Sequence, residues 1–265
     1  MQNGSNSYFN FRVDYLKYDN CHAPNVTAKM RYYLMGKALN ETGRPIFYSI
    51  CNWGQEKVWE WGASIGNSWR TTGDITNHWT SFLKNLELQV GLEKYAEIGG
   101  WNDPDMLEVG NGKLTYSESL AHFSLWCLLK APLLIGCDVN KISKESLEIL
   151  SNEELISINQ DPLGVQGSRI KSESEPSGKK EVWAGPLSNN RYVVIFFNQG
   201  DIEADINVSI KNDLKIDFES YTQRDPVRHK DIAMSTKDVL SERVGRHSVE
   251  VRILTLKKKQ TNLLN

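Results

Sequence analysis

The feature that most narrows the fold is an alternation through roughly the first 165 residues: short apolar runs that end on polar or acidic residues, each followed by helical periodicity. Residues 13–19 (VDYLKYD) are β-rich and end on Asp19. A helix is expected over 26–40. A second apolar run, 45–50 (PIFYSI), leads into Cys51-Asn52-Trp53-Gly54. Residues 68–74 (SWRTTGD) read as a short strand ending on Asp74, with a helix over about 77–90. Residues 99–106 (GGWNDPDM) read as a turn-rich loop, and a helix is expected near 117–130. Residues 131–138 (APLLIGCD) read as another buried strand, ending on Asp138, before helices at 144–151 and 155–158. Strands written as near-continuous apolar runs and separated by helices imply a parallel sheet covered on both faces. In a (β/α)8 barrel the C-terminal strand ends hold the active site.

Beyond residue 167 the helical period stops. Short β runs at 181–183, 192–198, 206–210 and 247–256, separated by Gly, Asn, Asp and Lys clusters, predict a small antiparallel sandwich. The expected organisation is an unstructured 1–12, an incomplete TIM-barrel domain over 13–167 and an antiparallel β domain over 168–265. A whole barrel takes about 250 residues and eight strands, whereas roughly five strands precede the boundary. The fold class expected is therefore α/β: a partial (β/α)8 barrel, lacking about three βα units, followed by a β-sandwich.

Composition removes several functions. The net charge is −2 and the pI about 6.2, so no basic excess draws the chain to nucleic acid or an anionic membrane. No stretch approaches ~18 uninterrupted apolar residues, and the polar start MQNGSNSYFNFR has no signal-peptide core. The four Cys form no C-x-x-C, and the five His show no H-E-x-x-H spacing, so no metal is expected. Phosphate-binding glycine loops and G-x-S-x-G are missing, so no cofactor and no acyl-transfer chemistry are implied. Eight Trp are compatible with sugar stacking and equally with core packing.

What remains is acids at strand ends. Retaining glycoside hydrolysis needs one carboxylate to attack the anomeric carbon and a second to protonate the leaving oxygen. Asp19 and Asp74 suit those roles, although a lone strand-end Asp also serves as a helix cap or turn residue. Lys17, two residues before Asp19, faces the same side of the strand and favours an ionised carboxylate. Arg70, four residues before Asp74, can orient a carboxylate or clamp a hydroxyl. Asp103 and Asp105 flank Pro104 and suit either hydroxyl binding or an Asx-turn.

Five blocks now carry a resemblance: YLKYDNC (15–21), SWRTTGD (68–74), GGWNDPDM (99–106), APLLIG (131–136) and INQDPLG (158–164). In order and spacing they resemble the family 27 glycoside hydrolases, the α-galactosidases or melibiases, with wording closest to plant members. The resemblance runs from about residue 13 to the C-terminus, leaving 1–12 outside it. It implies a retaining hydrolase removing terminal α-D-galactose from oligosaccharides, polysaccharides or glycoconjugates. It implies Asp19 as nucleophile, Asp74 as acid/base, and Lys17, Cys51, Asn52, Trp53, Arg70, Asp105 and Met106 as pocket residues. It further implies a disulfide from Cys21 to a segment this chain lacks, glycosylation at Asn40, and a secreted, cell-wall or vacuolar setting. Many members carry Glu where this chain has Asn52, which keeps a β-L-arabinopyranosidase open. The family's opening third is not recognisable, which keeps an inactive or merely sugar-binding fragment open.

Overall fold

The computed structural model describes residues 12–23 and 25–257. The expectations for 1–11 and for the last eight residues lie outside them. The chain divides into two compact units. The first comprises the described part of Met1–Thr76 with Thr80–Met106, the second Asn77–Trp79 with the described part of Leu107–Asn265.

The first unit is built on four parallel strands in the order β1 (Tyr15–Asp19), β2 (Phe47–Cys51), β3 (Ser68–Arg70) and β4 (Trp101–Asp103). Helix α1 (Ala28–Asn40) connects β1 to β2, and α2 (Trp79–Glu87) lies between β3 and β4. The strand period of two divides the chemistry. Leu16, Tyr18, Tyr48, Ile50 and Trp69 form one apolar face, packed with Tyr32, Met35 and Leu39 of α1 and with Val58 and Trp61. On the other face Tyr15 stacks on Phe47 at 5.4 Å, and the residues beyond them, Lys17, Asp19, Ser49, Ser68 and Arg70, are polar. The register sets Lys17 against Ser49, Ser49 against Ser68, Asp19 against Cys51 and Arg70 against Asp103. Helix α1 starts where Thr27 accepts from the Met30 amide and the Glu56 carboxylate accepts from the Ala28 and Lys29 amides, at 2.9 and 3.3 Å. Orphan donors of the first turn are thereby satisfied by the loop that follows β2.

Two sequence expectations are corrected here. The expected loop 99–106 contains a strand, β4, whose glycines and Asn-Asp pair disguise it. Residues 131–138 do not form a buried strand. They make one isolated parallel bridge, Leu107 to Ile135, and Ile135 is half exposed. Pro132 cannot donate to a ladder, and its carbonyl instead accepts from the Leu134 amide at 2.9 Å in a tight turn.

In the second unit α3 (Tyr116–Leu128) is buried along nearly its whole length and opens on a capping box between Thr115 and Glu118. Short helices α4 (Lys144–Leu150) and α5 (Glu153–Asn159) follow. Then come β5 (Ser168–Glu175), β6 (Gly178–Leu187), β7 (Arg191–Asn198), β8 (Ala204–Ser209), β9 (Ser220–Asp225), β10 (Lys230–Ser235), β11 (Val239–Val244) and β12 (Ser248–Lys257). They form an antiparallel six-stranded sheet, β10-β9-β12-β7-β6-β5, and a two-stranded sheet, β11-β8. Val182, Val194, Phe196 and Leu254 of the larger sheet pack against Ile206, Val208, Leu240 and Val244 of the smaller. The fold is thus α/β, with βα alternation of TIM-barrel type followed by an antiparallel β-sandwich.

Candidate active site at the strand ends

Every residue expected in the site falls in the first unit. Asp19 ends β1 with its carboxylate exposed. Its Oδ1 accepts from the Cys21 amide at 2.7 Å. Burial pushes the Asp19 carboxyl up, but hydrogen bonds from the Cys21 thiol and amide, the Cys51 thiol and the Asn20 amide outweigh it. The carboxyl is held below the usual carboxylate range. Asn20 is buried, accepting from Arg31 Nη2 at 2.6 Å and donating to Gln55 Oε1 at 3.2 Å. Helix α1 and the loop after β2 therefore fix the chain directly behind Asp19.

Cys51 ends β2. Burial pushes its thiol up to about 12, against the pull of Arg70 and Lys17, so it stays an S–H donor. Asn52 is fully buried and donates to the Gln55 carbonyl at 2.8 Å, while its Oδ1 makes no hydrogen bond. Trp53 takes φ 59° and Gly54 φ 80°. The Gly54 amide donates to the Arg70 carbonyl at 2.9 Å, and a Cβ there would sit 2.4 Å from the Thr71 carbonyl oxygen. Only glycine lets this loop close onto β3.

Arg70 is the hub. Its Nη2 lies 2.8 Å from Asp105 Oδ2, 3.1 Å from Asp74 Oδ1 and 3.1 Å from the Thr72 carbonyl; its Nη1 lies 3.8 Å from Cys51 Sγ. The guanidinium and the Asp105 carboxylate are each 3% exposed, whereas the Asp74 side chain is 77% exposed. The backbone on both sides of Asp74 is anchored. Asn85 Nδ2 donates to the Gly73 carbonyl at 3.2 Å, and the Ile75 amide donates to Asp105 Oδ2 at 2.8 Å. Asp105 adopts φ 91° and takes the Met106 amide on Oδ1 at 2.8 Å. Met106 is partly exposed, and Lys17 and Trp53 are half-buried.

Cys21 is an exposed free thiol, and no disulfide occurs among the described residues. Its thiol is pushed up first by its hydrogen bond to Asp19, then by slight burial and by the charges of Asp19 and Asp74. One thiol thus feels both candidate carboxylates. Asn40 is exposed at the end of α1. Among the described residues no three His, Cys, Asp or Glu side chains converge as a metal site, and no helix is long and apolar enough to cross a membrane.

The site also contains residues whose place the sequence did not settle. Asp103, which the sequence left open between hydroxyl binding and an Asx-turn, is 1% exposed; its Oδ1 accepts from the Asp105 amide at 2.8 Å, and its Oδ2 has no hydrogen-bond partner among the described residues. Burial pushes its carboxyl up against the opposing pull of Lys17 and Arg70. Asp103 ends β4 and pairs in register with Arg70, which sets it on the polar face once β4 is recognised. Asn20, Arg31 and Gln55 brace Asp19 from the apolar side, and nothing in their spacing announces it.

A carboxylate held ionised at the end of β1 and an exposed carboxylate held by a guanidinium are groups suited to nucleophilic and acid/base chemistry. Against known proteins, the family described as "Alpha galactosidase A" matches residues 1–161, and "Alpha galactosidase C-terminal beta sandwich domain" matches 177–254. "Alpha-galactosidase 3" of Arabidopsis thaliana is 47% identical over 243 residues, covering 92% of this chain and 55% of its own length. The α-galactosidase of Saccharomyces cerevisiae solved with raffinose superposes with a TM-score of 0.90 at 29% identity, covering 96% of this chain and 74% of that one. A β-L-arabinopyranosidase from Geobacillus stearothermophilus, 23% identical over 98% of this chain and 61% of its own, shares the fold with a TM-score of 0.86. The chain spans about half the length of the curated relatives it matches. It belongs to the α-galactosidase (melibiase) family.

Proposed function

We propose that this chain carries the catalytic pair of a retaining α-galactosidase, a hydrolase acting by double displacement on terminal α-D-galactosides. The observation that carries the reading is the contrast between the two carboxylates. Asp19 is held ionised by four hydrogen-bond donors, as a nucleophile must be. Asp74 projects an exposed carboxylate from a backbone pinned on both sides, with Arg70 orienting one oxygen. Asp19 attacks the anomeric carbon, and Asp74 first protonates the leaving oxygen, then takes a proton from water. Lys17, Cys51 and Arg70 line the polar face that receives galactose hydroxyls, with Trp53 and Met106 offering apolar edges. Asp105 and Asn52, both buried, serve the pocket by holding Arg70 and the Gln55 loop.

Raffinose, present in the yeast relative, and similar α-galactosyl oligosaccharides are the substrate class this reading favours. The compartment we favour is secreted, cell-wall or vacuolar, and the exposed sequon residues Asn25, Asn40 and Asn207 support it. The test is hydrolysis of nitrophenyl α-galactoside beside nitrophenyl β-L-arabinopyranoside. Turnover of the galactoside, abolished by Asp19→Asn and by Asp74→Asn, is expected. Preference for the arabinopyranoside would replace the substrate, and a folded chain without turnover of either would sink the reading.

A further inference from the structure

The second unit contains a cleft of about 430 Å³ with no role in the chemistry above. Its walls come from four places in the sequence: Tyr116 and Leu120 at the start of α3, Glu148 on α4, Arg228 and His229 in the β9–β10 turn, and Glu250 on β12. That volume suits one or two sugar rings.

Its polar groups are fixed before any ligand arrives. Arg228 Nη1 and Nη2 pair with Glu250 at 2.6 and 2.7 Å, and Nη1 also meets Asp225 Oδ2 at 2.7 Å. Asp225 Oδ1 in turn accepts from the Val227 and Arg228 amides at 3.0 and 2.9 Å, which locks the turn. His229 faces Glu154 through Nδ1 at 2.7 Å, and Glu154 is itself clamped by Arg224 at 2.8 and 2.9 Å. Held side chains lose little freedom on binding.

The chemistry of the walls selects the ligand. Arg228 is already matched by two carboxylates, so the cleft has no surplus positive charge for an anion. Glu148 is exposed and accepts hydrogen bonds only. Tyr116 is 45% exposed and presents a flat ring with a hydroxyl. Its acidity is weakened first by burial and then by the charge of Glu148, with Arg228 opposing. A flat aromatic face beside a carboxylate acceptor, with no unpaired guanidinium, fits a ring with hydroxyl donors on its edge and apolar C–H faces. We infer that this cleft is an accessory carbohydrate subsite for a neutral hexosyl unit of a glycan, with Tyr116 as stacking platform and Glu148 as hydroxyl acceptor.

The inference does not need turnover, so it is tested in the Asp19→Asn protein by following backbone amide resonances during titration with raffinose. Saturable shifts at 116–120, 148, 227–229 and 248–250 are expected. Tyr116→Ala should weaken that binding at least ~10-fold, and Glu148→Gln should weaken it while leaving the free protein's spectrum in place. Tyr116→Phe, which keeps the ring, should retain most of it and guards against a folding defect in the alanine variant. Sulfate should give no shifts there. No raffinose response in the cleft, a response unchanged by Tyr116→Ala and Glu148→Gln, or a response to sulfate in place of raffinose would each overturn the subsite. Shifts confined to the strand-end residues would do so while sparing the catalytic reading.

Discussion

Asp105→Asn isolates one charge at the heart of the site. In the folded chain Asp105 Oδ2 serves both Arg70 Nη2 and the Ile75 amide at 2.8 Å, and Oδ1 serves the Met106 amide. Asn is a suitable probe because it tolerates the positive φ of 91° at this position better than other side chains. Its single oxygen can replace only one of the two. If it keeps the Oδ2 partners, its amide group faces the Met106 N–H, and one hydrogen bond worth about 1 kcal/mol is lost. The larger cost falls on Arg70. Breaking a buried ion pair by neutralising one partner costs ~3–5 kcal/mol. Arg70 keeps the Thr72 carbonyl and the Asp74 carboxylate as partners, and this remaining compensation puts the cost at the lower end, about 3 kcal/mol. The expected loss of unfolding free energy in urea is therefore about 4 kcal/mol, ~3 from the ion pair and ~1 from the hydrogen bond. Asp105→Ala, which also leaves a β-carbon in a left-handed conformation with no polar anchor, should lose about 1–3 kcal/mol more. If Asp105→Asn costs under about 1 kcal/mol, the Arg70–Asp105 pair is not what fixes the site, and the argument fails.

Gly54→Ala should destabilise by at least about 2 kcal/mol by the same assay, because its Cβ meets the Thr71 carbonyl and its φ is +80°; a neutral result would mean the loop relaxes without cost. The second unit makes a pH prediction. Burial raises the Glu118 carboxyl, but the Thr115 amide and His247, 2.8 Å away, hold it below its ordinary value. A depressed carboxyl contributes stability above its unfolded pKa and loses it as pH falls through the folded one. The stability difference between the native chain and Glu118→Gln should thus be full at pH 7 and shrink below about pH 4.3. A difference that grows on acidification would contradict the assignment.

Much of this was legible in the sequence, for physical reasons that differ from place to place. The β1–α1–β2 unit was readable because its strands are apolar on one face and its helix is periodic. The step of two from Lys17 to Asp19 placed both on one face without any coordinates. Strand β4 was hidden because Gly100, Asn102 and Asp103 are turn formers, and only its neighbour β3 makes it a strand. The opposite error at 131–138 arose because apolar residues dominate a segment in which Pro132 forbids the ladder. In the sandwich, β5 was invisible because SRIKSESE offers one apolar residue, Ile170; its place is set by pairing with β6. Asp19 was found through its strand end; Asp74 was expected to end a strand over 68–74, but β3 stops at Arg70 and leaves Asp74 in the loop beyond, and the braces behind both were not found. Arg31 reaches Asn20 from a helix eleven residues away, and no local pattern records that contact.

The central claim is that Asp19 forms the covalent bond to sugar. Incubation with 2-deoxy-2-fluoro-α-galactosyl fluoride, followed by proteolysis and mass spectrometry, tests it directly. The account predicts a fluorogalactosyl adduct on the peptide containing Asp19, unchanged in stoichiometry in Cys21→Ser and absent in Asp19→Asn. An adduct on Asp74, or complete turnover with no covalent species and inverted product, would contradict it.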